Sequence, residues 1–372
     1  MSRGAVVHDY LNQRGGAERV ALQLAHMWPG APIYTSLYRE DQTFPEFSER
    51  EVRTTYLDRI PISHGFRNLF PLYPSAFRAL GTLDHDVVVS SSSGWAHGVR
   101  TSPETTHVVY CHTPARWLYG YDYLGVRSAK QVLARPLVGA MRRWDTGAAR
   151  RADLYIANSL HVRDRIRAVY GLDAEIVHPP VDVERFTARP RGERLLVVSR
   201  LLPYKRVDLA IEAANRLGLP LDVIGSGPQY WELEALAGPT VRFDRRLDDE
   251  AITALMENCR ALILPGSEDF GITPVEALAA GKPVVAFAAG GALESLEEGV
   301  SAAFFDEQTV DALLAALHRV DQLGTSPSVL AGHARRFSTG AFRAGIGAAI
   351  ERASRSAEGA GHAPLAAAAV SS

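Results

Sequence analysis

Cysteine is scarce: Cys111 and Cys259 are the only two in 372 residues. They lie far apart, each among apolar neighbours, which excludes a disulfide framework. The pattern suits two buried, non-catalytic thiols in a reducing compartment, so a cytoplasmic location is expected. Long apolar runs are also missing. None approaches the roughly 20 residues that a membrane-spanning helix needs, and the alanine-rich end after Pro364 is far shorter. Any membrane contact is therefore expected to be peripheral, at the cytoplasmic face of the inner membrane. The opening Met1-Ser2-Arg3-Gly4 runs into an apolar stretch that His8 and Asp9 interrupt at once, too short for a signal peptide, and secretion is not expected. Charge of one sign is lacking too. With 40 Lys and Arg against 42 Asp and Glu, no global field exists to hold nucleic acid, although a local basic cleft for a diphosphate is allowed.

What is present points to an α/β protein. The length exceeds what one hydrophobic core supports, so two domains are expected. Short β-type runs at Ala5 to His8, Asp86 to Ser90, His107 to Cys111, Asp153 to Ala157 and Glu175 to Val177 alternate with helical spacing such as Ala17 to Met27. The polar stretch Thr187 to Arg194, with Pro190 and Gly192, reads as a linker. The same grammar then restarts. Strands at 195–199, 221–224, 241–243, 261–264 and 283–287 alternate with helices at 207–217, 230–236, 249–258 and 274–280. Such alternation implies parallel sheets with both faces covered. The expected domains are 1–186 and 194–354, with the last helix free to pack back on the first domain and a disordered tail over 355–372.

Three loops carry candidate chemistry. Pro265 to Glu276 (PGSEDFGITPVE) follows an apolar strand and opens a helix. In a parallel sheet such a loop lies at the carboxyl edge, where ligands bind. Its glycine lets a backbone approach, and free amides at the helix start attract anions. Glu268 precedes the turn and Glu276 follows it. A structural alternative is a capping box of Thr273 and Glu276 with Pro274 first in the helix. In Ser199 to Arg206 (SRLLPYKR), Arg200 and Lys205 leave one strand end together, where a guanidinium with an ammonium either stabilises an anion or forms a solvated basic turn. Gly15-Gly16-Ala17-Glu18 follows the first strand and begins a helix, a place for close approach to a phosphate or for an ordinary tight turn.

The glutamate, seven residues, glutamate spacing of Glu268 and Glu276 resembles the signature of the retaining family 4 glycosyltransferases, whose GT-B fold has two facing Rossmann-like domains and an interdomain cleft. The likeness spans roughly residues 5 to 345. His8-Asp9-Tyr10-Leu11, Gly15 to Arg19, Cys111-His112-Thr113-Pro114 and Gly290 to Glu294 resemble in wording the bacterial mannosyltransferases of O-antigen and exopolysaccharide assembly. The resemblance implies Glu268 near the donor sugar, Glu276 on the ribose, and Arg200 and Lys205 on the phosphates. It places Gly15 and Gly16 near those phosphates, and His112 beside the transferred sugar as a hydrogen-bonding group. Phe270, Gly271 and Ile272 complete the donor loop. Gly225-Ser226-Gly227 is read as the nucleotide-side turn, since Tyr230 stands where a dinucleotide fingerprint needs a third glycine. Arg245 and Arg246 depart from the glycine usual in the family after that strand, which leaves base recognition open.

Other features carry less. Asp84-His85-Asp86 mimics a metal-binding acidic pair but leads into a buried strand, and His97, Asp248 and Asp249 lack ligand spacing, so no metal is expected. The aromatic and basic stretch Phe66 to Tyr73 with Arg78 would suit a bilayer surface. Trp117, Tyr119, Tyr121 and Tyr123 would line an acceptor groove or pack in the core. The sequence thus predicts transfer of a sugar from a nucleotide donor, GDP-mannose by resemblance, to a glycan or lipid-linked saccharide, with no cofactor. A UDP-sugar donor, a nucleotide-sugar epimerase, a non-catalytic scaffold of the same fold and an NAD-dependent dehydrogenase are the alternatives.

Overall fold

The longest strands of the chain, Val87–Ser92 and Thr106–Cys111, are buried along their whole length, as a sheet covered on both faces requires. The structure is a computed structural model and describes residues 3–60, 69–119, 135–245 and 247–360. Phe66, Arg67, Asn68, Tyr121, Tyr123 and Arg246 lie outside the described residues. The chain divides into two compact units. One runs to Pro180 and regains the chain from Phe342 onward; the other is Val181–Ala341.

The first unit contains β1 (Gly4–His8), β2 (Ile33–Thr35), β3 (Val52–Thr54), β4 (Thr82–Leu83), β5 (Val87–Ser92), β6 (Arg100–Thr101), β7 (Thr106–Cys111), β8 (Leu154–Ala157) and β9 (Glu175–Ile176). Seven form a parallel sheet in the order β3-β2-β1-β5-β7-β8-β9, while β4 and β6 pair separately. Alternate residues face opposite sides, as the two-residue period of a strand dictates. Val6, Val89, Val108 and Ile156 join one apolar cluster with Phe342, Ile346 and Ile350. Ala5, Val7 and Val88 join another with Tyr73, Phe77 and Trp95.

The second unit repeats this plan with β10 (Leu195–Val198), β11 (Leu221–Ile224), β12 (Val241–Asp244), β13 (Ala261–Leu264), β14 (Val284–Phe287) and β15 (Ala302–Phe305). All pairs are parallel, in the order β12-β11-β10-β13-β14-β15. Both sheets reverse strand order beside their first strand, between β1 and β5 and between β10 and β13. A crevice opens at such a switch point because the flanking loops depart to opposite faces.

Three expectations need correction. The segment 187–194 is not a loose linker. Thr187 N and Arg189 Nε donate to Glu257 at 2.7 and 2.9 Å, Arg191 donates to Val320 O and Leu323 O, and the buried Lys282 Nζ reaches Arg189 O at 3.0 Å. Its polar side chains tie it to the second unit. Nor does order end at Ser354: the helix Thr339–Ala360 continues six residues into the stretch expected to be disordered. Finally, the helix expected from Pro274 begins at Ile272, two residues earlier, with Gly271 as its N-cap at φ 86° and no side-chain cap. Thr273 therefore cannot form a capping box.

The returning helix places Phe342 (2% exposed) edge-on to Tyr110, ring centroids 5.5 Å apart. Truncating a buried phenylalanine removes both transfer energy and packing. Phe342→Ala is expected to destabilise the first unit by about 3 to 5 kcal/mol, read as a lowered denaturant midpoint; an unchanged midpoint would show that this helix adds nothing to the core.

Candidate active site

In the second unit the functional loops are held together by glycines. After β10 the chain turns through Ser199 to Lys205, and the loop after β11 closes on it, with Ser199 N bonded to Ile224 O and Leu201 N to Ser226 O at 3.0 and 2.9 Å. A Cβ on Gly225 would stand 1.9 Å from Ser199 O, and one on Gly227 2.3 Å from Leu201 O. The two glycines therefore seat the cationic loop. Gly266 does the same for the loop after β13, since its Cβ would lie 2.6 Å from Lys205 Cα. A short 3-10 turn, Pro203–Lys205, presents the lysine. It ends at Arg206, whose φ of 49° is the one positive value at a non-glycine among the described residues. Arg206 is not a loose surface cation: its guanidinium forks onto Asp208.

The result is a buried Lys205 (6% exposed) in ion pair with Glu268, whose side chain stays partly open. The switch point thus joins two residues that the sequence separates widely. Arg200 is exposed at the same strand exit. Glu276 lies further along the helix Ile272–Ala279 and accepts from Arg185 Nη2 at 3.0 Å, while Arg185 Nη1 stands 3.5 Å from Asp249. Phe270 has its ring committed to the core against Phe337. Ile272 opens the helix, half-buried. Gly290 and Gly291 serve loop packing, because a Cβ on either would come within 2.2 Å of the Glu268 or Phe270 backbone. Gly291 N is already bonded to Glu268 O, and the helix behind it is one turn, Ala292–Ser295.

In the first unit, β1, β5 and β7 end side by side. Asp9 is consumed structurally: its oxygens accept from Ser93, Trp95 and Ala96 amides at 2.5 to 2.9 Å, fixing the loop after β5. Ser91 Oγ lies 3.0 Å from His8 Nδ1 and 2.8 Å from His112 Nε2. Gly15 is the extended N-cap of the helix Gly16–Met27, and a Cβ there would strike the Glu18 carboxylate at 2.6 Å. Trp117 is 43% exposed, stacks on Trp95 with centroids 4.9 Å apart, and has the Phe70 ring tilted against it at 5.4 Å. Tyr119 instead donates to Asp145 at 2.7 Å. The buried Asp145 also faces His97 Nε2 at 3.1 Å.

Ser91, Glu18, Asp145 and Arg185 were absent from the residues expected of the site. The run Ser90-Ser91-Ser92, three hydroxyls closing an apolar strand, was the available signal for the first. No local pattern marked Arg185, which acts across 91 positions on Glu276.

Comparison with known proteins supplies the family. Residues 14–185 match the family model described as Glycosyltransferase Family 4, and residues 182–336 match Glycosyl transferases group 1. The chain is a family 4 glycosyltransferase. It is 26% identical over 341 residues to the human alpha-1,3/1,6-mannosyltransferase ALG2, covering 77% of this chain and 80% of that one. It is 31% identical over 199 residues to a GDP-mannose-dependent alpha-(1-6)-phosphatidylinositol monomannoside mannosyltransferase of Mycolicibacterium smegmatis, covering 45% of this chain and 52% of that one. Among solved structures, the Anabaena Alr3699/HepE complex with UDP and glucose superposes with TM-score 0.70 at 20% identity, covering 94% of this chain and 100% of that one. Sucrose-phosphate synthase of Thermosynechococcus elongatus gives 0.71 at 16%, over 94% and 98%. These neighbours show the GT-B fold.

The transferase buries its thiols, one in each unit, and burial pushes Cys259 up to about 12. Asp86 takes the Arg3 amide and guanidinium, and among the described residues no three His, Cys, Asp or Glu side chains converge as a metal site. Desolvation, with His8 alongside, pulls His112 down to about 3; desolvation, with His97 and Arg151 nearby, does the same for His107, bonded to Ser90 at 2.9 Å. Both are neutral in the folded transferase near pH 7. Unfolded histidine titrates near 6.5, so below that pH the unfolded chain takes up protons that the folded chain refuses. The stability these groups confer is present above about pH 6.5 and is lost as pH falls toward 3. Denaturant midpoints should therefore drop from pH 7 to pH 5, and less steeply in His107→Gln; identical slopes would contradict the assignment.

Proposed function

We propose that the transferase moves mannose from GDP-mannose, with retention of anomeric configuration, onto a glycan or lipid-linked saccharide of cell-surface polysaccharide synthesis. The observation that carries this reading is the buried Lys205 paired with Glu268 at the switch point of the second sheet. As the anomeric bond loosens, the leaving diphosphate gains negative charge and the sugar becomes cationic. Lys205, with Arg200, stabilises the first charge, and Glu268 faces the second. These groups carry the diphosphate without a metal ion. Glu276, steadied by Arg185, takes the ribose. The acceptor attacks from the face the diphosphate leaves, its proton passing to the departing phosphate oxygen. His112 bonds a hydroxyl of the sugar, and Trp117 offers an aromatic face to a sugar ring. The mannosyl donor is supported by what the relatives are named for. The reaction takes place at the cytoplasmic side of the membrane, where lipid-linked acceptors are built.

Calorimetric titration with GDP-mannose and UDP-glucose, beside single-turnover transfer, tests the proposal. GDP-mannose is expected to bind selectively. Lys205→Ala and Glu268→Ala should each lower transfer on the order of 10²–10³-fold, the loss typical when one preorganised charge is removed, with melting temperatures little changed. Preference for UDP-glucose would overturn the donor; folded variants with full turnover would overturn the site.

A further inference from the structure

The Glu18 carboxylate is an anomaly. It is 1% exposed in the first turn of the helix Gly16–Met27, and its Oε2 has no hydrogen-bond partner. An unsatisfied buried carboxylate oxygen is costly. Gly15 leaves room for it and Gln13 Nε2 holds its Oε1 at 2.9 Å, so the chain keeps it in place. What Glu18 faces is His8, whose Nε2 lies 3.7 Å from Oε1 and also lacks a hydrogen-bond partner. His8 in turn touches Ser91, and Ser91 touches His112.

Resting on the reading of His112 as a sugar-facing residue, we propose that Glu18, His8 and Ser91 are positioning residues that fix the tautomer of His112. The number of available donors fixes each proton. A carboxylate only accepts, so its field keeps the His8 proton on Nε2. His8 Nδ1 is then bare and must accept from the Ser91 hydroxyl. That hydroxyl has one hydrogen, now spent, so at 2.8 Å Ser91 Oγ can only accept from His112 Nε2–H. His112 is left with a bare Nδ1, which takes no part in the Nε2 bond to Ser91. A bare nitrogen accepts a hydrogen bond from a hydroxyl and repels a carbonyl or phosphoryl oxygen. The relay thus selects a sugar hydroxyl over the diphosphate as the partner of His112, and it orients each bond cooperatively along the chain.

Long-range ¹H–¹⁵N spectra of ¹⁵N-histidine-labelled protein at pH 7.5 read this directly, with His112 assigned by its loss in His112→Gln. The expected result is a protonated Nε2 and a bare Nδ1 at His112, giving way to a mixture of tautomers in Ser91→Ala and Glu18→Gln. Transfer in both variants should fall about tenfold in kcat, with KM for the donor nearly unchanged. A proton on Nδ1 of wild-type His112 overturns the relay without any variant, as does an unchanged tautomer in both variants. If the tautomers behave as expected but His112→Ala transfers at the wild-type rate, the relay stands and the sugar-facing role of His112 is lost.

Discussion

The close approach of three loops at the carboxyl end of the second sheet is the constraint on which the second unit depends. Gly225, Gly227 and Gly266 stand where any side chain would collide with the backbone of Ser199, Leu201 or Lys205. With them, the exits of β10 and β11 are bonded by their own amides, the exit of β13 packs against Tyr204 and Lys205, and Lys205 is buried there. Without that packing a lysine would spend its conformational freedom in water. A charge fixed before the reaction needs no reorganisation when the leaving group becomes an anion.

The first unit uses the same switch point with different material. Its strand ends carry buried hydroxyls, imidazoles and carboxylates instead of glycines, and nearly all are paired with one another or with backbone amides. Asp9 shows how fully this is done, with both oxygens spent on the loop after β5. Buried polar networks of this kind hold orientation well when satisfied and are expensive when not. His112 stands at the edge of that network, neutral and with one nitrogen outside it.

Much of the fold was legible. The helix Val207–Leu217 and the strands Leu221–Ile224 and Ala261–Leu264 coincide with their periodic runs, because buried parallel strands and amphipathic helices write their period into every residue. The edge strand Val52–Thr54 and its neighbour Ile33–Thr35 were not read: three residues are too few to show alternation. The segment 187–194 misled for another reason. Proline, glycine and charge announce a surface loop, but whether its arginines meet water or the carbonyls of a distant helix is a tertiary fact. Of the site, Arg200, Lys205, Glu268 and Glu276 were visible as motif residues. Arg185, Ser91 and the use of Glu18 were not, since their partners lie across the fold.

Motif glycines illustrate the difference between a residue that touches a ligand and one that makes touching feasible. From sequence, Gly15 offered close approach to a phosphate, Gly225 and Gly227 a nucleotide-side turn, and Gly290 and Gly291 a stretch of family wording. In the structure each is already filled by the protein's own atoms: a carboxylate at Gly15, strand-exit carbonyls at Gly225 and Gly227, the Glu268 loop at Gly290 and Gly291. Substituting any of the four in the second unit would displace the loops that carry Lys205 and Glu268. A loss of activity at such a glycine therefore reports on loop packing, and only the charged residues distinguish chemistry from scaffold. Lys205 and Glu268 meet that test because their pairing needs burial, opposite charge and a strand-order reversal at once.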